Sequence, residues 1–143
     1  LPEEVILKTS LHPFNKTDHQ PTSKQLIDAD VVISDIGSLV WEAWALDIPV
    51  VFPDWLVKER VLEKWPGSLT AKLYNDGIGY HADTLEQLPE KIDLALQRGI
   101  TDAEKEIIDG VFPLELRGIS GKVTALHLQH IAANKIGDAA CES

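Results

Sequence analysis

The hydrophobic pattern changes period twice between Asp30 and Asp54. Val31 to Ser34 is a short, β-branched apolar run, the signature of a strand buried on both faces of a parallel sheet. Asp35-Ile36-Gly37-Ser38 then breaks the run with a carboxylate, a glycine able to take positive φ, and a hydroxyl suited to a helix N-cap. From Leu39 the apolar spacing is helical through Val40, Ala43, Trp44 and Leu46, until Pro49 forbids continuation. Val50-Val51-Phe52 reads as a second strand, so the stretch predicts a βαβ unit.

The flanking pattern extends this alternation. Val5 to Leu11 predicts a strand that leaves the sheet at His12-Pro13, and Thr22 or Ser23 caps a short helix over Lys24 to Ala29. A helix from Lys58 to Trp65 ends at Pro66-Gly67, whereas Ser68 to Asp76 has no decisive period. Gly77 to Ala82 predicts a short strand. Leu85 to Gln97 predicts an amphipathic helix with Leu85, Leu88, Ile92, Ala95 and Leu96 on one face and Pro89 in its first turn. Thr101 caps a helix over Asp102 to Ile108, Gly110 and Pro113 break it, and a last helix runs from near Ser120 past Ile131. The expected class is α/β: a Rossmann-like parallel sheet of about four or five strands with helices on both faces.

Composition narrows the function. The chain has 143 residues, enough for a single domain with a real core, yet it has no Met and reaches its first apolar strand at Val5. A fragment of a longer two-domain chain is the expectation. A net charge of −10 argues against a nucleic-acid surface, which needs clustered Lys and Arg. No apolar run approaches the ~20 residues of a membrane span, so no transmembrane segment is expected in this piece. The single cysteine, Cys141, makes neither an internal disulfide nor a zinc site and fits a reducing cytoplasm. No pair among His81, His127 and His130 has metal-ligand spacing; these histidines read as structural or solvent-facing, and no metal or cofactor is expected.

Candidate chemistry gathers at the Asp35–Ser38 turn. Open α/β sheets bind ligands at the carboxyl ends of their strands, where Gly37 and Ser38 fall. The N–H groups of a helix beginning at Ser38 favour an anion, most simply a phosphate. Glu42 lies four residues, one turn, beyond Ser38 and shares its face.

Four motifs give the chain a resemblance to a known family. ILKTSLHP spans Ile6 to Pro13, DADVVISD spans Asp28 to Asp35 before a small-residue turn, and the Glu42-Ala43 helix closes with Leu46-Asp47-Ile48-Pro49-Val50. A weaker fourth is Gly118-x-Ser120-x-Lys122. Over residues 5 to 131 the pattern resembles the C-terminal, donor-binding half of GT-B fold transferases. Within these it is most similar to the CDP-glycerol glycerophosphotransferases that polymerise wall teichoic acid. Ser10 stands where that family has a basic residue, and Ile36-Gly37 where it has an aromatic residue and a serine.

The resemblance implies a domain that binds CDP-glycerol or a nucleotide-sugar for transfer to a cell-wall or capsule polymer. His12 would be the catalytic-side contact to the donor. Asp35, Gly37, Ser38, Glu42, Gly118, Ser120 and Lys122 would bind it, the hydroxyls and N–H groups at the diphosphate and Glu42 at the ribose. The acceptor base would lie in an N-terminal domain, leaving this half inactive alone. The full-length protein would be cytoplasmic, peripheral at the inner membrane face. The alternatives are a UDP-sugar 2-epimerase-like domain, and a noncatalytic nucleotide-binding or protein-interaction domain. A phospho-receiver is disfavoured, because Ser10-Leu11-His12 replaces the acidic pair that would hold Mg²⁺.

Overall fold

A computed structural model describes residues 5–9 and 22–141, with side chains through residue 133. It divides into two compact units, Leu1–Ile108 and Asp109–Ser143. In the first, the described elements are α1 (Thr22–Ile27), β1 (Val32–Ile33), α2 (Ser38–Ala45), β2 (Val50–Pro53), α3 (Asp54–Lys64), α4 (Leu69–Asp76), β3 (Tyr80–Ala82) and α5 (Leu88–Arg98). A 3₁₀ turn at Leu85–Gln87 precedes α5, and α6 (Asp102–Val111) follows it. The second unit holds a 3₁₀ turn at Leu114–Leu116 and α7 (Ser120–Cys141).

The fold is α/β, as the alternating pattern predicts, but its sheet is smaller. Three parallel strands are ordered β1-β2-β3 among the described residues, against the four or five expected. The register pairs Val32 with Val50 and Ile33 with Val51, then Val51 with Tyr80, Phe52 with His81 and Pro53 with Ala82. Residues 5–9, read as most of a strand, have no regular structure, and Val5, Ile6 and Leu7 are 58%, 76% and 76% exposed. An apolar run becomes a strand only where a neighbour supplies ladder partners, and nothing in the sequence pattern states whether one does.

β2 is the centre of the core, buried at all four positions. Because side chains alternate across a strand, its two faces meet different helices. Val51 lies with Tyr80 and with Ala95 of α5, where Leu88 and Ile92 also pack. Phe52 faces the other way, edge-on to Trp44 of α2 at 6.1 Å and to Tyr74 of α4 at 5.7 Å, and stacked on His81 at 4.9 Å. Helices therefore cover both faces of the sheet.

Several boundaries differ from the sequence reading for local reasons. α2 stops at Ala45, before Pro49 matters. Asp47 takes φ 59°, and the N–H groups of Asp47 and Ile48 return to the carbonyls of Trp44 and Ala43, a Schellman closure. α3 begins at Asp54, directly after β2, rather than at Lys58. The undecided stretch is α4, with the Ser68 hydroxyl accepting the Ala71 N–H at 3.0 Å and Gly77 in the left-handed region at its end. Thr101 caps α6 as expected, and Glu104 makes the cap reciprocal: Thr101 Oγ1 accepts the Glu104 N–H at 3.4 Å, and Glu104 Oε2 accepts the Thr101 N–H at 2.7 Å.

Gly79 is required by two independent facts. Its φ is +98°, and a Cβ there would stand 2.6 Å from Cε2 of the buried Phe52. Gly79→Ala is expected to destabilise the domain by about 1–3 kcal/mol, from overpacking plus a backbone that L residues avoid. Urea denaturation reads this directly, and a midpoint equal to wild type would mean that neither the Phe52 contact nor the positive φ costs stability.

Candidate functional site

The carboxyl ends of the three strands lie along one edge of the sheet, and each leads into an acidic residue: Asp35 after β1, Asp54 after β2 and Asp83 after β3. The three differ in what surrounds them.

After β1 the chain turns through Asp35, Ile36 and Gly37 into α2. The Asp35 carboxylate accepts the Ile36 N–H at 2.7 Å, an interaction internal to the turn. Gly37 sits at the helix N-cap with φ 114°, a value L residues rarely adopt, and among the described residues no side chain caps the helix. Ser38, expected at the N-cap, is instead the first helical residue. The reason is geometric: only the glycine can take the reversal, so the helix starts one position earlier. Gly37 and Ser38 are exposed, and a Cβ on Gly37 would meet nothing within 4 Å. Glu42 is exposed one turn further on.

The Tyr74 hydroxyl, on α4, fixes the start of this turn by donating to the Asp35 carbonyl at 2.6 Å. Burial and the nearby Asp54 and Asp35 carboxylates all raise the Tyr74 pKa, so the phenol keeps its proton and remains a donor.

After β2 the carboxylate is consumed internally. The Asp54 side chain is 2% exposed, with Oδ1 2.8 Å from His81 Nδ1 and Oδ2 2.9 Å from Lys58 Nζ. The Lys58 contact is an ion pair rather than an aligned hydrogen bond. Burial works to raise the Asp54 pKa, but His81 and Lys58 outweigh it and hold the carboxyl below its ordinary 3.8. His81 Nε2 donates to the Ile78 carbonyl at 3.0 Å, so both ring nitrogens are occupied and neither is left for a substrate. Lys58 also lies 3.6 Å from Asp83, the third strand-end acid. Beside this cluster an open depression of about 560 Å³ is lined by Asp54, Trp55, Lys58, Arg60, Leu62 and Asp83.

A second buried acid lies deeper. Glu104 is fully buried, and among the described residues neither its Oε1 nor the Trp44 indole nitrogen has a hydrogen-bond partner. Burial raises the Glu104 pKa above 4.5; the Thr101 cap and the neighbouring indole, short of a formed hydrogen bond, pull it partly back.

Of the expected site residues, Asp35, Gly37, Ser38 and Glu42 fall together on one turn and one helix. Gly118, Ser120 and Lys122 belong to the second unit: Gly118 is exposed with φ 78°, Ser120 is half-buried at the start of α7, and Lys122 is exposed. There Arg117 donates to the Phe112 carbonyl at 3.1 Å and to Asp109 at 2.6 Å. His12 lies outside the described residues. Among the described residues no three His, Cys, Asp or Glu side chains group to hold a metal ion, and no helix is long and apolar enough to cross a membrane.

No family model, curated protein or solved structure matches the chain.

Sequence reasoning missed Asp54 and Tyr74. Asp54 carried the same signal as Asp35, an acid at a strand end, with Lys58 four residues on. Tyr74 had no signal, since its helix had no clear period and its partner is 39 residues away.

The Asp54–His81 pair has a pH signature. A carboxyl whose folded pKa is depressed contributes stability that is present above 3.8 and lost as pH falls through the lower folded value. Glu104, whose pKa is raised, runs oppositely and contributes less as pH rises above 4.5. Asp54→Asn is expected to cost on the order of 3 kcal/mol near neutral pH, and the gap to wild type should shrink below pH 3.8 as Asp54 itself protonates. Urea melts of both proteins across pH 2.5–7 measure that gap; a constant difference would mean the charge is irrelevant.

Proposed function

We propose that this chain binds an activated nucleotide-diphosphate donor, CDP-glycerol or a nucleotide-sugar, as the donor half of a GT-B-like transferase. The observation that carries this reading is the turn after β1: a glycine at φ 114° opening an exposed helix N-terminus at the carboxyl edge of a parallel sheet. The first N–H groups of a helix have no partner within it, and the helix dipole adds partial positive charge there. An anion approaching Gly37 meets no Cβ. The β1-β2-β3 order also fits this reading, because strands that step in one direction form one wing of a doubly wound sheet.

In this reading the amides of Gly37 and Ser38 take the diphosphate, the Ser38 hydroxyl adds a donor, and Glu42 accepts from ribose hydroxyls one turn along. Asp35 shapes the turn through its bond to Ile36. These groups stabilise negative charge on a leaving nucleotide diphosphate, which is what such a transfer requires of its donor site. His12 is assigned the catalytic-side contact on the resemblance alone. The full-length protein, on the same reading, carries an acceptor domain and works at the inner membrane face.

Calorimetric titration with CDP-glycerol, CDP, UDP and UDP-N-acetylglucosamine tests this, together with Ser38→Asp and His12→Ala. Ser38→Asp is informative because an acid in the first turn of α2 favours the helix while repelling a diphosphate. It should leave stability unchanged or raised and weaken nucleotide binding more than tenfold, about 1.4 kcal/mol. A cytidine preference supports the glycerophosphotransferase reading, and a uridine preference moves it to the sugar enzymes. Absence of binding by all four nucleotides would sink the donor reading.

A further inference from the structure

We infer that Tyr74 is a positioning residue for the turn after β1, its hydroxyl setting the shape in which the Gly37 and Ser38 amides meet a diphosphate. This rests on the donor-site reading for the ligand, but its structural half stands on the geometry alone.

The Asp35 carbonyl lies one residue beyond Ser34, whose N–H donates to the Val51 carbonyl at 3.1 Å at the end of the ladder between β1 and β2. Two residues later the backbone must reach φ 114° at Gly37. Among the described residues the Asp35 side chain holds its neighbour's N–H, a contact that moves with the turn and cannot anchor it. Tyr74 supplies the anchor from a different element at 2.6 Å. The anchor is itself rigid: Tyr74 is buried, edge-on to Phe52 at 5.7 Å and to His81 at 5.4 Å, and His81 is held in turn by Asp54 and Ile78. A phenol locked on three sides thus ties the start of the turn to the packed core. Without the hydroxyl, α2 would still form, but the amides of its first turn would sample more directions and meet the ligand less often in the binding geometry.

Tyr80 offers an internal control. Its hydroxyl donates to the Gly99 carbonyl at 2.6 Å, the same kind of bond, on the opposite face of the sheet and away from the turn. Tyr74→Phe and Tyr80→Phe each delete one hydroxyl and keep the ring. Both should lower the urea midpoint modestly. Only Tyr74→Phe should shift the amide resonances of Ile36, Gly37 and Ser38 and speed their hydrogen exchange, and only it should weaken whichever nucleotide the wild type binds, by about threefold to tenfold. Turn amides that stay in place in Tyr74→Phe would overturn the positioning role. Shifted amides with unchanged affinity would overturn its link to the ligand. If the wild type binds none of the four nucleotides, the donor reading and the ligand link fail together, while the amide shifts still decide what Tyr74 does to the turn.

Discussion

The first unit is arranged around the ring of Phe52. It stands in the middle strand of a three-stranded sheet, in contact with Trp44 from α2, Tyr74 from α4 and His81 from β3. Aromatic pairs at these separations carry stabilisation beyond the area they bury, and their edge-to-face geometry fixes direction as well as distance. The consequence reaches the backbone. The chain entering β3 can pass Phe52 only without a side chain at position 79, so the ring dictates a glycine as well as three neighbours.

The same packing explains how charge can be buried beside an aromatic core. An isolated carboxylate at the position of Asp54 would be strongly disfavoured, but β3 brings His81 to one oxygen while α3, beginning directly at Asp54, brings Lys58 to the other. The pair therefore fastens the first turn of α3 to β3. Glu104 has half of that treatment: one oxygen is used by the Thr101 N–H and the other has no donor among the described residues. The two pKa shifts run in opposite directions because His81 and Lys58 outweigh burial at Asp54, whereas at the deeper Glu104 burial outweighs its hydrogen-bond partners.

What could be read from the sequence was whatever depends on neighbours a few residues apart. The Val50–Phe52 strand, the glycine turn, the Thr101 cap and Pro89 in the first turn of α5 are local, and all are found. The N-cap slipped from Ser38 to Gly37 because hydroxyl preference and backbone reach competed there, and reach decided. α4 was hidden because its eight residues, with Ala71, Leu73 and Tyr74 buried, are too few to display a decisive period. For residues 5–9, apolarity did not imply a ladder. The Asp54–His81 pair spans 27 residues, and the Tyr74–Asp35 bond 39, so only the fold reveals them.

The division of labour along the sheet edge follows from these contacts. Three acids stand at three strand ends, yet two are already answered: Asp54 by His81 and Lys58, and Asp83 by Lys58. A ligand arriving at Asp54 would have to displace an internal partner and leave a buried charge behind, whereas Asp83 is exposed and shares the same Lys58. At the end of β1 the balance is reversed. Tyr74 takes the Asp35 carbonyl and the Asp35 side chain takes the Ile36 N–H, so the turn's shape is settled from within while Gly37 and Ser38 remain exposed. A binding edge needs groups that are fixed and also unoccupied, because groups that move pay for their ordering on binding and groups already paired pay for their release. Among the described strand ends, the turn after β1 meets both conditions.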